Sequence, residues 1–416
     1  MNRQWPVTKL GDLADLVTKG TTPTSIGHSF VPNGINFVKV ESISTAGKFI
    51  EEKFAHITGD CHEALGRSKL RAGDILFSIA GALGRTAFVT KDILPANTNQ
   101  ALAIIRLKND VGLLPEFVLK ALETGVVLEQ IEKFKGGVAQ QNLSLAQVRD
   151  FHIALPPLPM QRQIVDILDE AFGAIAIARA NAKKNLQNAN ALFESHLQSI
   201  FTRRGKGWME TTIGEICDIK HGFAFDGAEF SSDVPEGKPF VITPGNFTED
   251  GKLLFNKRNA KRFGGDIPAG FQFDVGDLVV VMTDLSSKMK ILGKPAFVET
   301  DNVLHNQRIG RVVFSNQRVE KRLLYYFMMT EGFLKNIKGS ATGTMVKHTA
   351  PKRILSNVIP FPVNRQEQRA IISKLDGLRE ETQRLVAIYE RKLTALEALK
   401  KALLHQAFAG ELRIVL

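Results

Sequence analysis

The sequence predicts an α+β protein: two mixed α/β domains separated by two long helices that pair with each other as a coiled coil, with an internal duplication. Three observations predict it. The chain has 416 residues, enough for two or three domains at ~150 residues each. Its second half repeats, in order, the motifs of its first. Each half closes on a long run with apolar residues at a 3–4 spacing, the mark of a helix that pairs with another.

The repeat is read from paired landmarks. Trp5 and Trp208 are the two tryptophans, and each opens the same pattern. Leu10-Gly11-Asp12-Leu13-Ala14-Asp15 answers Ile213-Gly214-Glu215-Ile216-Cys217-Asp218, and Ala72-Gly73-Asp74-Ile75 answers Val275-Gly276-Asp277-Leu278 at the same interval. The register then drifts, as loop insertions make it drift. Gly84, Ala87, Phe88 and Val89 match Gly293, Ala296, Phe297 and Val298, and Asn99-Gln100 matches Asn306-Gln307. Gln161-Arg162 with Ile164-Val165 and Leu168-Asp169 matches Gln368-Arg369 with Ile371-Ile372 and Leu375-Asp376. Chance supplies one such pair, not an ordered set.

The expected division is 1–155 and 205–362 for the two mixed domains, with helical segments at 156–204 and 363–416. Short runs rich in Val, Ile and Phe at 35–40, 74–79, 103–107, 239–242 and 277–282 read as strands between Gly, Pro, Asn and Thr. Helices are expected at 115–133 and 320–338. Pro156, Pro157 and Pro159 in one half, and Pro360 and Pro362 in the other, stop the preceding structure ahead of a new helix. The long helices are expected at 161–202 and 366–408. One seam is Ile164, Leu168, Ala171, Ile175, Ala178, Ala182, Ala189 and Leu192. The other is Ile371, Leu375, Leu378, Leu385, Tyr389, Leu396, Leu399 and Leu403.

Composition narrows the function classes. Hydrophobic residues make up 44% and charged residues 23% of the chain, which suits folded domains and excludes wholesale disorder. Lys and Arg number 54 against 43 Asp and Glu, a net charge of +11 that favours a polyanionic partner, nucleic acid before membrane. Cys61 and Cys217 are the two cysteines, too few for a disulfide framework or a structural zinc site. The N-terminal residues show no signal peptide and no run is long enough to span a membrane, so a cytoplasmic protein is expected. There is no GxxxxGK[ST] loop, GxGxxG turn, GxSxG elbow, HExxH pair or Asn-Pro-Pro-aromatic motif, so catalysis is not expected of this chain.

What is present suits the reading of bases. Arg, Lys, Asn, Gln, Ser and Thr carry the donors and acceptors that match base edges in the major groove. In the first half these are Lys19, Thr21, Thr22, Lys39, Ser42, Arg85, Asn97, Asn99, Gln100, Lys135, Gln140, Gln141 and Asn142. In the second they are Asn246, Lys288, Lys290, Asn306, Gln307, Arg308, Thr342, Thr344, Lys347 and His348. Lys257-Arg258 and Lys261-Arg262 suit phosphates, which give affinity and register without sequence information. Any single one would pass as a solvated surface residue; their recurrence at matching places in both halves singles the set out.

These residues resemble the specificity subunit (HsdS) of Type I restriction–modification systems, over nearly the whole chain. The resemblance rests on the paired tryptophan motifs, Leu70-Arg71-Ala72-Gly73-Asp74-Ile75-Leu76, Gly84 with Ala87, and Gly137 with Gln140 and Asn142-Leu143-Ser144. It rests also on Leu155-Pro156-Pro157-Leu158-Pro159 leading to Gln161-Arg162, and on the finish Gln406-Ala407-Phe408-Ala409-Gly410-Glu411-Leu412. The second copy departs from the first in lacking the Gln-x-Asn-Leu run after Gly339-Ser340-Ala341-Thr342-Gly343-Thr344. The resemblance implies two target-recognition domains that each read half of a bipartite, asymmetric double-stranded DNA site, held apart by the two long helices paired as an antiparallel coiled coil with pseudo-twofold symmetry. It also implies two modification subunits and, through them, two restriction subunits as partners. S-adenosylmethionine, ATP and Mg would then reside on the partners and no cofactor on this chain. An alternative from another class is a non-catalytic duplicated adaptor on a coiled coil, without sequence-specific DNA binding.

Overall fold

A computed structural model describes residues 5–109, 112–135, 142–231 and 237–411. The chain divides into two units, one of residues 1–183 with 390–416, the other of residues 184–389.

In the first unit a four-stranded antiparallel sheet runs in the order Ala14–Lys19, Leu102–Leu107, Ile75–Ser78, Thr86–Phe88. The strand Ile75–Ser78 is buried along its whole length because it separates two cores. Ile75 and Phe77 face the larger core with the helices, while Leu76 faces a second one with Val38, Ile43 and Ile104. A strand with apolar partners on both faces has no polar positions to alternate, hence the unbroken apolar run. A smaller sheet, Ala55–Ile57, Ile35–Val38 and Ala96–Thr98, lies beyond it, its last pair parallel.

The second unit repeats this plan. Its four-stranded sheet runs Cys217–His221, Ile309–Phe314, Leu278–Val281, Pro295–Phe297. Leu278 and Val280 face one core, and Val279 and Val281 the other. The second sheet has five strands, Phe230–Ser231, Arg262–Phe263, Phe240–Ile242, Val303–His305 and Gln272–Phe273, again with one parallel pair. A two-stranded ribbon closes each unit, Val7–Lys9 with His152–Ala154 and Trp208–Thr212 with Val358–Pro362.

The repeated motifs have physical work in this plan. Asp74 is buried, closes the turn at Gly73 by accepting from the Arg71 N–H at 2.8 Å, and binds Arg106 through both guanidinium arms at 2.7 Å. Asp277 does the same, accepting from the Asp274 N–H at 2.9 Å and pairing with Arg311 at 2.8 Å. Losing one partner of such a pair leaves a buried charge unmatched, a cost of about 3–5 kcal/mol. Gln161 and Gln368 are buried at the feet of the long helices. The Gln161 side-chain carbonyl accepts from the Leu114 N–H at 2.9 Å, and its amide donates to the Gly112 and Pro156 carbonyls at 3.2 and 2.8 Å. Gln368 accepts from the Glu320 N–H at 2.9 Å and donates to the Arg318 and Pro362 carbonyls at 2.8 and 2.9 Å. Each thus ties the helix to the loop that precedes the short helices.

The long helices are Leu158–Thr202 and Arg365–Phe408, and each unit draws on both. In the first unit, Ile164, Val165 and Leu168 share a core with Leu404 and Ala407. Lys400 lies over the Phe172 ring at 4.8 Å and Arg179 pairs with Glu397 at 2.6 Å, so advance along one helix is retreat along the other. In the second unit Leu197 and Phe201 share a core with Leu375. The helix pairing is antiparallel. Two expected seam positions differ: Leu192 and Leu399 are exposed, whereas Leu404 and Ala407 are buried. A straight helix turns every 3.6 residues, so a stripe counted at 3.5 drifts off the contact line over several turns.

The shorter helices also differ from expectation, each being two. Pro115–Leu122 is followed by Gly125–Lys135, and Lys321–Met329 by Glu331–Gly339. The break falls at Thr124 and Thr330. The Thr330 hydroxyl donates to the Phe327 carbonyl at 2.7 Å and accepts from the Phe333 N–H at 3.3 Å, ending one helix and capping the next. Among the described residues no helix is long and apolar enough to cross a membrane.

Candidate nucleic-acid interface

Two equivalent surface patches form where the first strand of each four-stranded sheet turns away. In the first unit the chain leaves Lys19 through Gly20, which lies so close to its neighbour that a Cβ would stand 1.9 Å from the Thr98 carbonyl oxygen. The Thr21 N–H donates to that carbonyl at 3.2 Å, and the Thr22 hydroxyl donates to the Gln100 side-chain carbonyl. Asn99 accepts from the Ala101 N–H at 3.2 Å and so shapes the turn, while Gln100 and Lys19 stay exposed. Arg67, which the sequence reading missed, donates to the Thr21 hydroxyl at 3.1 Å. Its only signal in sequence is one more arginine in a Gly-Arg-Ser turn.

The second unit builds the counterpart on the same plan, with Phe223 in place of Thr21 and Arg308 in place of Ala101. A Cβ on Gly222 would stand 2.3 Å from the His305 carbonyl oxygen. The Phe223 N–H donates to that carbonyl at 2.8 Å, and the Gln307 N–H donates to the Phe223 carbonyl at 3.0 Å. Asn306 is buried and accepts from the Arg308 N–H at 3.0 Å, leaving Gln307 and Arg308 projecting. In both patches, asparagine holds the turn and glutamine faces out.

Three expected contacts are corrected. Ser42, Asn97 and Asn246 are buried and their polar atoms are engaged inside the domains. The Ser42 hydroxyl donates to the Lys53 carbonyl at 3.0 Å, and the Asn97 amide donates to the Leu65 carbonyl at 3.2 Å. Asn246 accepts from the Thr243 N–H at 2.8 Å and donates to the Asn259 carbonyl at 3.2 Å. They order loops from inside the domains. Arg85 also turns inward, donating to the Ile43 carbonyl at 2.9 Å. Its counterpart Lys294 is largely buried, and burial, then the nearby Lys338, holds its pKa below the usual lysine range.

The remaining candidates lie at or near the surface. The Lys39 ammonium sits 4.4 Å from the Phe30 ring centre. Lys257, Arg258, Lys288, Thr342, Thr344 and His348 are exposed, and Lys290 pairs with Glu249 at 2.5 Å. Lys347 donates to the Gly343 carbonyl at 2.7 Å, and His348 shares a hydrogen bond with the Thr283 hydroxyl at 3.1 Å. Asn142 is exposed; Gln140, Gln141 and the Lys135 side chain lie outside the described residues.

Neither cysteine has thiolate character: burial raises the Cys61 thiol, and burial with Asp218 pushes Cys217 up to about 12. Among the described residues no His, Cys, Asp and Glu cluster could hold a metal ion.

His305, under the second patch, is buried against Phe273 at 4.5 Å, its Nε2 bonded to the Ile309 carbonyl at 2.8 Å. Burial lowers its pKa to about 4, against the opposing pull of that carbonyl and with help from Arg311. Between about pH 6.5 and 4 the unfolded chain holds a proton here that the folded chain does not, so stability falls as pH falls. About 2 kcal/mol should be gone by pH 5. Thermal melts from pH 7 to 5 should show this, with a smaller slope for His305→Gln.

The family model described as Type I restriction modification DNA specificity domain matches residues 2–188 and again 205–391. The chain belongs to that family. The MjaVIII specificity subunit of a Type I restriction enzyme from Methanocaldococcus jannaschii is 23% identical, covering 99% of this chain and 93% of the relative. The specificity subunit of the EcoBI enzyme from Escherichia coli is 28% identical over 42% of this chain and 36% of its own. A solved structure reported on complex assembly and conformational transition of the type I R-M system covers 99% of both chains at 19% identity, with a TM-score of 0.77. The HsdS subunit from Thermoanaerobacter tengcongensis gives 0.57 at 19% identity, covering 99% of this chain and 98% of that one. These likenesses establish the shared fold, and the two matched spans coincide with the repeat read from the tryptophan motifs.

Proposed function

We propose that this chain is the DNA-recognition subunit of a Type I restriction–modification complex, each domain reading one half of a bipartite, asymmetric site. The observation that carries the reading is the pair of equivalent patches, Thr21, Thr22 and Gln100 in one domain, Phe223, Gln307 and Arg308 in the other. Each patch presents a glutamine at the same place with different neighbours, Thr21 and Thr22 in one and Phe223 and Arg308 in the other, as two readers of different half-sites require. The paired helices set the spacer between the half-sites. Two readers on one face of the duplex fall about one turn, ~34–36 Å, apart, a distance that a stiff helix pair can fix. The chain docks two modification subunits and, through them, two restriction subunits. Adenine methylation with S-adenosylmethionine, and ATP- and Mg-dependent steps, belong to those partners, and this chain performs no catalysis.

The test is a modified-base map of a methylation-free host that expresses this chain with its modification subunit. Methyladenine is expected at one bipartite motif, only when both chains are present. Gln307→Ala with Arg308→Ala should relax the readout of one half-site, at about 1–3 kcal/mol per lost base contact. Asn142→Ala should affect the other half-site alone. Uniform weakening on all DNA would place these side chains on phosphates. No methylation by soluble, associated subunits would favour the adaptor reading.

A further inference from the structure

Beyond the two patches, the second domain carries a small ribbon, Thr283–Asp284 paired with Lys347–His348, whose end is apolar. Met345 is 83% exposed, the highest value for a large apolar side chain among the described residues, and Leu285 is 60% exposed. The antiparallel register, Thr283 opposite His348 and Asp284 opposite Lys347, carries Leu285 towards the Val346 and Met345 end of the other strand. Exposed apolar side chains of this size, gathered at one tip, call for a partner.

The tip is held stiffly. Asp284 is buried, and its two carboxylate oxygens accept from the Ser286 and Ile291 N–H groups at 2.8 and 3.0 Å. Across the ribbon, the Thr342 N–H donates to the His348 carbonyl at 3.0 Å and the His348 N–H returns a bond to the Thr342 carbonyl at 2.9 Å. Gly343 has φ +97°, and a Cβ there would stand 2.0 Å from the Val346 carbonyl oxygen, so the turn needs glycine. The flanking charge is basic: Lys288 is exposed, and Lys347, two residues after Met345, holds its ammonium on the Gly343 carbonyl of the same turn at 2.7 Å. The ribbon's own acid, Asp284, is buried, and Glu249 nearby is paired with Lys290.

From this juxtaposition we propose that the ribbon tip is a DNA wedge: Met345, supported by Leu285, enters a groove of the duplex and unstacks a base step while the lysines hold the flanking phosphates. Two-stranded ribbons fit DNA grooves, and methionine and leucine are among the side chains that part base steps. The charge around the tip selects a polyanion over an apolar protein surface as the occupant. The inference rests on the DNA-recognition reading and adds to it a site that deforms the duplex instead of reading base edges.

The experiment uses the whole chain assembled with its modification subunit, on a duplex carrying the mapped site. 2-Aminopurine is placed at successive steps through and beside the second half-site, leaving out the adenines that the modification subunit methylates and itself unstacks. A fluorescence rise at one step is expected with the wild type, lost with Met345→Ser and kept with Met345→Leu. Both variants change an exposed side chain and should fold. Site-specific binding with no rise anywhere, or a rise that survives Met345→Ser together with Leu285→Ser, overturns the wedge and leaves recognition standing. Weaker capture of the modification subunit by Met345→Ser, with the rise intact, makes the tip a protein contact and also overturns it. Absence of site-specific binding by the wild type overturns both readings.

Discussion

Gly222→Ala is expected to destabilise the second unit by about 3 kcal/mol or more, and Gly20→Ala the first by at least as much. An added Cβ at Gly222 meets the His305 carbonyl oxygen at 2.3 Å and the Asn306 carbonyl carbon and oxygen at 2.4 Å. At Gly20 it meets the Thr98 carbonyl oxygen at 1.9 Å and its carbon at 2.3 Å. These are backbone atoms of a neighbouring segment, so no side-chain rotation relieves the overlap; the two segments must part. Parting them moves Gln307 and Arg308 in one patch, or Gln100 in the other. Gly173 is the control, a helix-interior glycine whose added Cβ meets nothing within 4 Å. Gly173→Ala should be neutral or stabilising by up to about 1 kcal/mol. Trp5 and Trp208 lie in different units, so replacing one with phenylalanine lets the other report urea unfolding of its own unit. Unchanged midpoints for both glycine variants would contradict the close approach on which the patches depend.

The second large effect concerns the paired glutamines. Gln161→Leu and Gln368→Leu keep the size of the side chain and delete three hydrogen bonds each. The partners left behind are backbone N–H and carbonyl groups at the junction of a long helix with the loop before it. An unsatisfied buried polar group costs about 1–3 kcal/mol, so a loss of about 3 kcal/mol or more is expected in either unit. Urea midpoints of the same single-tryptophan proteins measure it. A drop below about 1 kcal/mol would mean that water or a rearranged loop serves these groups.

Legibility in the sequence followed burial symmetry. The strands Ile75–Ser78 and Leu278–Val281 were readable because both faces are apolar, leaving a continuous run. The long helices were readable to within a few residues because proline precedes them and little interrupts them. The breaks at Thr124 and Thr330 were not, since threonine ends a helix only when its hydroxyl finds the right carbonyl. The same limit governs the interface. Asn97 and Gln100 are equally polar as letters, yet one is sealed under the Leu65 carbonyl and the other is exposed. Asn246 has the amide of a base reader, yet the fold uses it on the Asn259 carbonyl. An aromatic residue such as Phe223 reads as core in sequence. Only the repeat, which sets it opposite Thr21, marks its position as part of a surface patch.

The division of the long helices between the units has a consequence for how the protein is made. Residues 184–389 form one unit in a single uninterrupted stretch, whereas the other joins 1–183 to 390–416. During synthesis the early unit therefore waits for Leu404 and Ala407 to complete its core, after all of the later unit has emerged. At 5–20 residues per second that wait is about 10–45 s. For that time the part of the early core that Leu404 and Ala407 cover stays open, so the unit encoded second is the first to have its whole chain available.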